Sequence, residues 1–148
     1  MKVRALVTSD LPRLLELYTH LNPNDDPLPP ANVVNAAWSE SLANPRMRHF
    51  GGFEADHLVA ACTICVVPNL TRGCRPYALI ENVVTAANHR RKGWGKAVLS
   101  EALTFAWNQN CYKVMLLSGR KDEAVLRFYE SAGFKSDEKR GFVARSGA

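Results

Sequence analysis

The segment between residues 88 and 97 constrains this chain more than any other. It reads Asn-His-Arg-Arg-Lys-Gly-Trp-Gly-Lys-Ala and joins an apolar stretch, residues 77–86, to a helical pattern over residues 93–109. Glycine lets a backbone approach a ligand closely, and the first turn of a helix presents unpaired N–H groups at the positive end of its dipole. The segment therefore predicts a strand, a loop and a helix that together bind a diphosphate.

Two common nucleotide-binding loops do not fit this spacing. In a Walker loop a Ser or Thr follows Gly-Lys, whereas Ala97 stands at that position. A dinucleotide-binding fingerprint requires a third small residue and a later acidic residue on the second strand, and the segment does not supply that pattern. The spacing thus favours a different diphosphate ligand.

Chain length and apolar content indicate a single domain over residues 1–148. Of the 148 residues 47% are hydrophobic, which is enough for one compact core and too few for two independently stable domains. No apolar run approaches the roughly 20 residues that cross a bilayer, and the first residues lack an apolar secretory segment. We therefore expect a soluble, cytoplasmic protein without a membrane partner.

The net charge and the cysteine spacing limit the classes of ligand that we expect. The formal net charge of +5 favours an anionic ligand, but no reading helix or base-stacking motif points to nucleic acid. Cys62 and Cys65 have the C-x-x-C spacing of zinc and redox sites. Both fall in a predicted strand, where residues three apart point to opposite faces. We expect buried structural thiols and no metal.

Apolar periodicity and turn residues divide the rest of the chain into short elements. Strands are predicted over residues 2–7, 48–54, 58–67, 77–86 and 112–118, with a last hairpin in residues 134–145 that turns at 138–141. Helices are predicted over residues 11–21, 32–42, 93–109 and 122–132. In the second helix Val33, Val34, Ala37 and Trp38 should face inward, and Gly133 should end the fourth in a left-handed conformation.

Two motifs together resemble the GCN5-related N-acetyltransferase (GNAT) family. Residues 90–95, Arg-Arg-Lys-Gly-Trp-Gly, match the family's Gln/Arg-x-x-Gly-x-Gly/Ala loop, and residues 128–134 look like its Phe-Tyr-x-x-x-Gly-Phe signature. Residues 80–84 and 111–114 are also similar to glucosamine-phosphate N-acetyltransferases, which carry a second acid where this chain has Asn82. The resemblance implies an α/β (α+β) GNAT fold, with a mixed, mostly antiparallel sheet of six or seven strands flanked by about four helices.

The same resemblance implies acetyl-CoA as cosubstrate and assigns the residues around it. The loop and helix start would hold the diphosphate, the end of the preceding strand would pair with the pantetheine arm, and a backbone N–H near Val83 or Val84 would stabilise the oxyanion. Tyr129 matches the family tyrosine that donates a proton to the departing thiolate. The implied cofactor-binding residues are Val83, Val84, Thr85, Arg90, Arg91, Lys92, Gly93, Trp94, Gly95, Lys96 and Ala97.

Glu81 is the candidate base for the acceptor amine. It is the only acidic residue in the strand before the loop, and strict strand alternation would place it on the same face as Val83 and Thr85. A glutamate that orders the site or binds the amine without deprotonating it fits the sequence equally well.

These features predict an N-acetyltransferase that acts on the primary amine of a small molecule by direct attack in a ternary complex. A protein or peptide acceptor and a non-catalytic acetyl-CoA-binding module are the alternatives. Arginines at 46, 48, 72 and 75 would suit a phosphate or carboxylate on the acceptor, whereas Asp25 and Asp26 would suit a polyamine or aminoglycoside. A homodimer is also expected, since dimers are common in the family that the chain resembles.

Overall fold

A computed structural model describes residues 1–147 of the chain. The strands are β1 (Lys2–Ala5), β2 (Met47–Glu54), β3 (His57–Val67), β4 (Tyr77–Thr85) and β5 (Val114–Leu116); the helices are α1 (Leu11–Tyr18), α2 (Ala31–Ala43), α3 (Trp94–Asn108) and α4 (Glu123–Ser131). Short 3₁₀ turns lie at Thr8–Asp10 and Ala87–His89. The chain divides into two compact units, residues 1–116 and a second unit that begins at Leu117.

The first unit is built on one sheet in the order β1-β2-β3-β4-β5. Neighbouring strands from β1 to β4 are antiparallel, and β5 joins β4 in parallel. The predicted hairpin of β2 and β3 is confirmed, as is the mixed, mostly antiparallel sheet. The helix that links β4 to β5 is α3, which makes this part of the chain a strand–loop–helix–strand unit.

The predicted strand count was too high. The sheet has five strands rather than six or seven, and residues 134–147 contain no strand. The tail lacks the alternation of apolar and polar residues that the predicted hairpin needs. Residues 135–140 are all polar or charged, and Phe142 is 85% exposed. β5 is also shorter than predicted, and α1 ends at Tyr18 rather than continuing to Leu21.

Helices cover both faces of the sheet. On one face α1 and α2 pack against the sheet. Buried apolar side chains of these helices, the strands and the residues next to them form one cluster, whose members are Leu6, Leu14, Leu17, Trp38, Phe53, Leu58, Ala61, Val84 and Ala86. On the other face the fully buried α3 residues Val98, Ala102 and Ala106 recur every four positions and form one helical stripe. This packing fixes the start of α3 against the sheet.

The predicted inward face of α2 was mostly wrong. Trp38 is buried and its Nε1 donates to the Thr8 carbonyl oxygen at 3.1 Å, but Val34 is only half-buried. Val33 is 48% exposed and Ala37 is exposed as well. The helix therefore contacts the core chiefly through one large ring rather than through a continuous stripe.

Among residues 1–147 no helix combines the length and the apolar character needed to span a membrane.

Candidate functional site

A bulge in β4 interrupts the sheet beside Glu81. Ala61 of β3 pairs with Val84 and Thr63 pairs with Glu81, so that Asn82 and Val83 together face the single residue between Ala61 and Thr63. Asn82 has a left-handed φ of 54°. One extra residue in one strand is the definition of a β-bulge, and such bulges bend the strand and redirect its side chains.

The bulge corrects the predicted face of Glu81. Paired residues of antiparallel strands share a face, and Ala61 and Thr63 share one because they are two apart in β3. Glu81 therefore lies on the same face as Val84. Thr85 pairs with the intervening Ala60 and lies on the opposite face, contrary to the prediction from uninterrupted alternation.

The second feature is the separation of β4 from β5. Their parallel pairing joins Ala78–Ile80 to Val114–Leu116 and ends there. Among the described residues, no strand pairs with Glu81–Thr85 on that side of β4. Apart from the Thr85 carbonyl, which accepts from Arg90, this edge has no partner from a neighbouring strand within residues 1–147, and an extended ligand could bind there as an added strand. Val83 and Thr85 are half-buried and Val84 is buried.

The third feature is the start of α3. Arg91 and Gly93 both adopt left-handed conformations, with φ of 62° and 87°, and the helix follows at Trp94. Its first internal bond runs from Ala97 N–H to the Gly93 carbonyl at 3.0 Å, which leaves the N–H groups of residues 94–96 without an internal helix acceptor. No side chain of the described residues caps them. Unpaired N–H groups at a helix start can donate hydrogen bonds to an anion.

Contacts on both sides hold the loop before α3 in place. The Arg90 guanidinium donates to the carbonyl oxygens of Thr85 at 3.2 Å and His20 at 3.5 Å. His89 Nε2 lies 2.7 Å from a Glu54 carboxylate oxygen at the end of β2, and this hydrogen bond lowers the pKa of Glu54. Arg90 thus stabilises the loop backbone, and its guanidinium is already engaged by the protein.

At the start of α3, Trp94 packs against the sheet and three exposed basic residues supply positive charge. Trp94 is 6% exposed and packs against the backbone of Gly52, as expected for a packing residue. Arg91, Lys92 and Lys96 are exposed and place three positive charges around the free N–H groups. Their charge adds to the helix dipole and favours a diphosphate.

A buried polar chain on the Glu81 face was missed by the sequence analysis. His49 Nδ1 lies 2.9 Å from Thr63 Oγ1, and its Nε2 lies 3.0 Å from Ser41 Oγ. Tyr18 of α1 is half-buried. Burial lowers the pKa of His49 and raises that of Tyr18. Ser41, His49 and Thr63 come from three elements that share no motif, so no local pattern could have revealed the chain.

Tyr129 lies in the second unit, on α4. Its ring is half-buried between Phe128 at 4.9 Å and Phe134 at 6.2 Å, centroid to centroid. Its carbonyl oxygen accepts from the Phe134 N–H at 3.1 Å, and Gly133 has the predicted left-handed φ, 99°. The end of α4 therefore fixes the tyrosine backbone in one turn.

Cys62 and Cys65, the C-x-x-C pair, are both free thiols in β3. Cys62 is buried under α3, where its thiol donates to the Val98 carbonyl at 3.5 Å, and burial raises its pKa to about 12. Cys65 is a separate free thiol. A thiol with so high a pKa is a poor nucleophile and a poor metal ligand. Within residues 1–147 no cluster of three or more His, Cys, Asp or Glu side chains could hold a metal ion.

Comparisons with known proteins converge on one family. The sequence model described as the acetyltransferase (GNAT) family matches residues 11–134. A glucosamine 6-phosphate N-acetyltransferase of Trypanosoma brucei brucei is 32% identical over 139 residues, which cover 94% of this chain and 92% of that protein.

Solved structures give the same result. A putative acetyltransferase from Agrobacterium tumefaciens is 47% identical, with a TM-score of 0.92 and coverage of 99% of this chain and 100% of the other. A glucosamine-6-phosphate N-acetyltransferase from Arabidopsis thaliana is 21% identical, with a TM-score of 0.85 over 99% of this chain and 98% of its own, and shares the fold.

Proposed function

The chain belongs to the acetyltransferase (GNAT) family, and on that premise we propose that it transfers the acetyl group of acetyl-CoA to the primary amine of a small molecule. It is an acetyl-CoA-dependent N-acetyltransferase. The proposal concerns the acceptor and the mechanism, which is direct attack of the amine on the thioester while both substrates are bound.

The observation that carries the proposal is that an unpaired strand edge and an uncapped helix start follow each other along the chain. The edge of β4 that β5 leaves unpaired leads, through a short turn, to the N–H groups at the start of α3. An extended arm that ends in a diphosphate matches both, since the arm can add to the strand edge while the phosphates accept from the helix N–H groups. The pantetheine diphosphate of acetyl-CoA has this chemistry.

The bulge in β4 supports a role for this strand in the acetyl transfer itself. A backbone N–H of Val83 or Val84 would donate to the carbonyl oxygen of the thioester, where negative charge develops as the amine attacks. Glu81, two residues before Val83, is exposed. It would bind the acceptor amine, either as its base or as its counter-ion. Tyr129, which matches the family tyrosine, would donate a proton to the departing thiolate.

An amino-sugar phosphate is the acceptor that we propose to test first. The Trypanosoma relative named for glucosamine 6-phosphate is similar along nearly its whole length. Two of the arginines considered for the acceptor phosphate make other contacts. Arg75 donates to the carbonyls of Asn110 and Cys111, and Arg72 lies over the Tyr112 ring. Arg46 is exposed and remains the better candidate for an anionic group.

The test is an assay of CoA release with wild-type protein, acetyl-CoA and three acceptors: glucosamine 6-phosphate, glucosamine and a lysine-containing peptide. We expect turnover with the amino sugars, a higher kcat/KM for the phosphorylated one, and intersecting initial-velocity lines, because a ternary complex forms before any product leaves. Turnover with the peptide alone would refute the small-molecule acceptor. Parallel lines would indicate an acetylated enzyme intermediate and refute direct attack.

A further inference from the structure

The His20 side chain contacts the loop before α3 from the end of α1. Ala87 is the first residue of the 3₁₀ turn between β4 and α3. The first N–H groups of a helical turn have no acceptor within that turn. The Ala87 N–H donates instead to His20 Nδ1 at 3.3 Å. A side chain from another element therefore caps this turn, as an N-cap residue caps a helix.

The His20 carbonyl contacts the other end of the same loop. The Arg90 guanidinium donates to this carbonyl at 3.5 Å and to the Thr85 carbonyl at 3.2 Å. Ala87 and Arg90 are the first and last residues of the segment 87–90, so His20 bonds to both of its ends.

The backbone of His20 is itself fixed by α1. The His20 N–H donates to the Leu17 carbonyl at 3.0 Å and continues the hydrogen bonding of the helix by one residue. Leu17 is 2% exposed and belongs to the apolar cluster beneath α1. The buried face of α1 consequently sets the position of the histidine.

Residues 87–90 join the two parts of the proposed acetyl-CoA site. The edge of β4 ends at Thr85 before them, and α3 begins at Trp94 after them. One molecule would bind both parts at once, so this loop sets the spacing between the arm and the diphosphate subsites. Contacts that immobilise a loop before its ligand binds reduce the entropy lost on binding and so increase affinity.

The contact with Ala87 also defines where the His20 ring carries its proton. A backbone N–H only donates hydrogen bonds, so Nδ1 has to accept and is unprotonated. The proton of the neutral ring is then on Nε2. Only a ring with an unprotonated Nδ1 can make this contact.

We propose that His20 is a positioning residue for acetyl-CoA. Through the Ala87 N–H and the Arg90 guanidinium it holds residues 87–90 in the conformation that aligns the β4 edge with the start of α3. This inference rests on the proposed function, since it adds a residue to the acetyl-CoA site of the same reaction. His20 acts through the loop and touches neither the cosubstrate nor the reacting atoms.

The experiment compares His20→Leu and His20→Asn with wild type in the full-length protein. Leucine keeps the branching at Cγ but removes the acceptor, whereas asparagine can place its Oδ1 where histidine has Nδ1. We expect His20→Leu to raise the Kd for acetyl-CoA about five- to tenfold, the cost of one hydrogen bond. Its kcat at saturating acetyl-CoA should stay within about twofold of wild type, because the reacting atoms are untouched. His20→Asn should keep the wild-type Kd.

Thr19→Val is the matched control. The Thr19 hydroxyl donates to the Glu16 carbonyl at 2.7 Å, so this variant removes a side-chain hydrogen bond at the same end of α1, one residue before His20. It should keep the wild-type Kd for acetyl-CoA.

Two measurements without ligand test the contact itself. Ala87 is exposed, so its amide should exchange slowly with solvent only where residue 20 offers an acceptor. We expect exchange about tenfold faster in His20→Leu than in wild type and His20→Asn. ¹⁵N-histidine NMR of the neutral ring should show His20 protonated at Nε2.

The outcomes separate the positioning role from the proposed function. An unchanged acetyl-CoA Kd in His20→Leu overturns the positioning role while wild type still binds acetyl-CoA. A His20→Asn or Thr19→Val variant as impaired as His20→Leu overturns it too, because the end of α1 and not the acceptor would then set the affinity. Protonation of the neutral His20 ring at Nδ1, or equal Ala87 exchange in all variants, overturns the assigned contact. Failure of wild type to bind acetyl-CoA refutes the proposed function, and the positioning role with it.

Discussion

A methyl group added at Gly52 should weaken acetyl-CoA binding by displacing the start of α3. A Cβ at this position of β2 would lie 2.8 Å from Trp94 Cε3 and 3.3 Å from Cζ3. Trp94 is the first residue of α3 and is 6% exposed, so its ring has little free space to move into. Gly52→Ala therefore has to displace the start of the helix, which carries the proposed diphosphate donors.

The size of the effect follows from two separate costs. Overpacking of a well-packed core costs about 1–3 kcal/mol, and in a chain of this length each kcal/mol lowers Tm by about 2–4 °C. Loss of one backbone hydrogen bond to a charged phosphate costs about 1.5–3 kcal/mol, which raises the Kd for acetyl-CoA about ten- to a hundredfold. Stability and affinity should therefore fall together in Gly52→Ala.

Gly51→Ala is the matched control. Its Cβ would lie 2.5 Å from Leu6 Cδ2 and 2.6 Å from Leu58 Cδ1, on the opposite face of the sheet from α3. This variant should lose comparable stability and keep wild-type affinity. Scanning calorimetry gives the Tm of each variant, and titration calorimetry well below both transitions gives the Kd. Equal acetyl-CoA affinity in the two variants would refute the argument that Trp94 positions the diphosphate donors.

Three further experiments test the proton donor, the start of α3 and the buried ion pair. Tyr129→Phe should lower kcat about ten- to a hundredfold with little change in acetyl-CoA Kd, and an unchanged kcat would remove Tyr129 as the proton donor. Gly93→Ala and Gly73→Ala both force alanine into a left-handed conformation, with φ of 87° and 68°, at a cost of about 1–2 kcal/mol each, but only Gly93→Ala should weaken acetyl-CoA binding in calorimetry. The buried Asp10 hydrogen bonds to Arg4 at 2.7 Å, which lowers its pKa below the ordinary 3.8; its stabilising contribution is present above that value and is lost as pH falls through the lower, folded-state pKa. Acid unfolding of Asp10→Asn should accordingly lack that part of the pH dependence, and identical acid profiles would contradict the pairing.

Local patterns predicted the elements around the site because each has a signal within a few residues. Glycine spacing and basic side chains marked the start of α3, and apolar periodicity marked the strands on either side. Gly133 ended α4 in the predicted left-handed conformation, since only a residue without Cβ adopts it at little cost. The assignments of Tyr129, Glu81 and the loop residues to chemical roles remain predictions.

Features that depend on pairing between strands were not predictable in the same way. The Asn82 bulge exists because β4 has one residue more than β3 between two fixed pairs, and no property of residues 80–84 alone reveals that excess. The predicted face of Thr85 was therefore wrong. His49 gave no sequence signal, because its partners Ser41 and Thr63 come from different elements and meet only in the folded sheet.

The central claim is that the N–H groups at the start of α3 bind the diphosphate of acetyl-CoA. Its most direct test is the ¹H–¹⁵N spectrum of the labelled full-length chain, titrated with coenzyme A and, as control, with pantetheine, which lacks the diphosphate. The account predicts that coenzyme A shifts the amide signals of residues 93–96 most strongly and that pantetheine leaves them in place. Saturation by coenzyme A with those signals unmoved, or no binding at all, would contradict it.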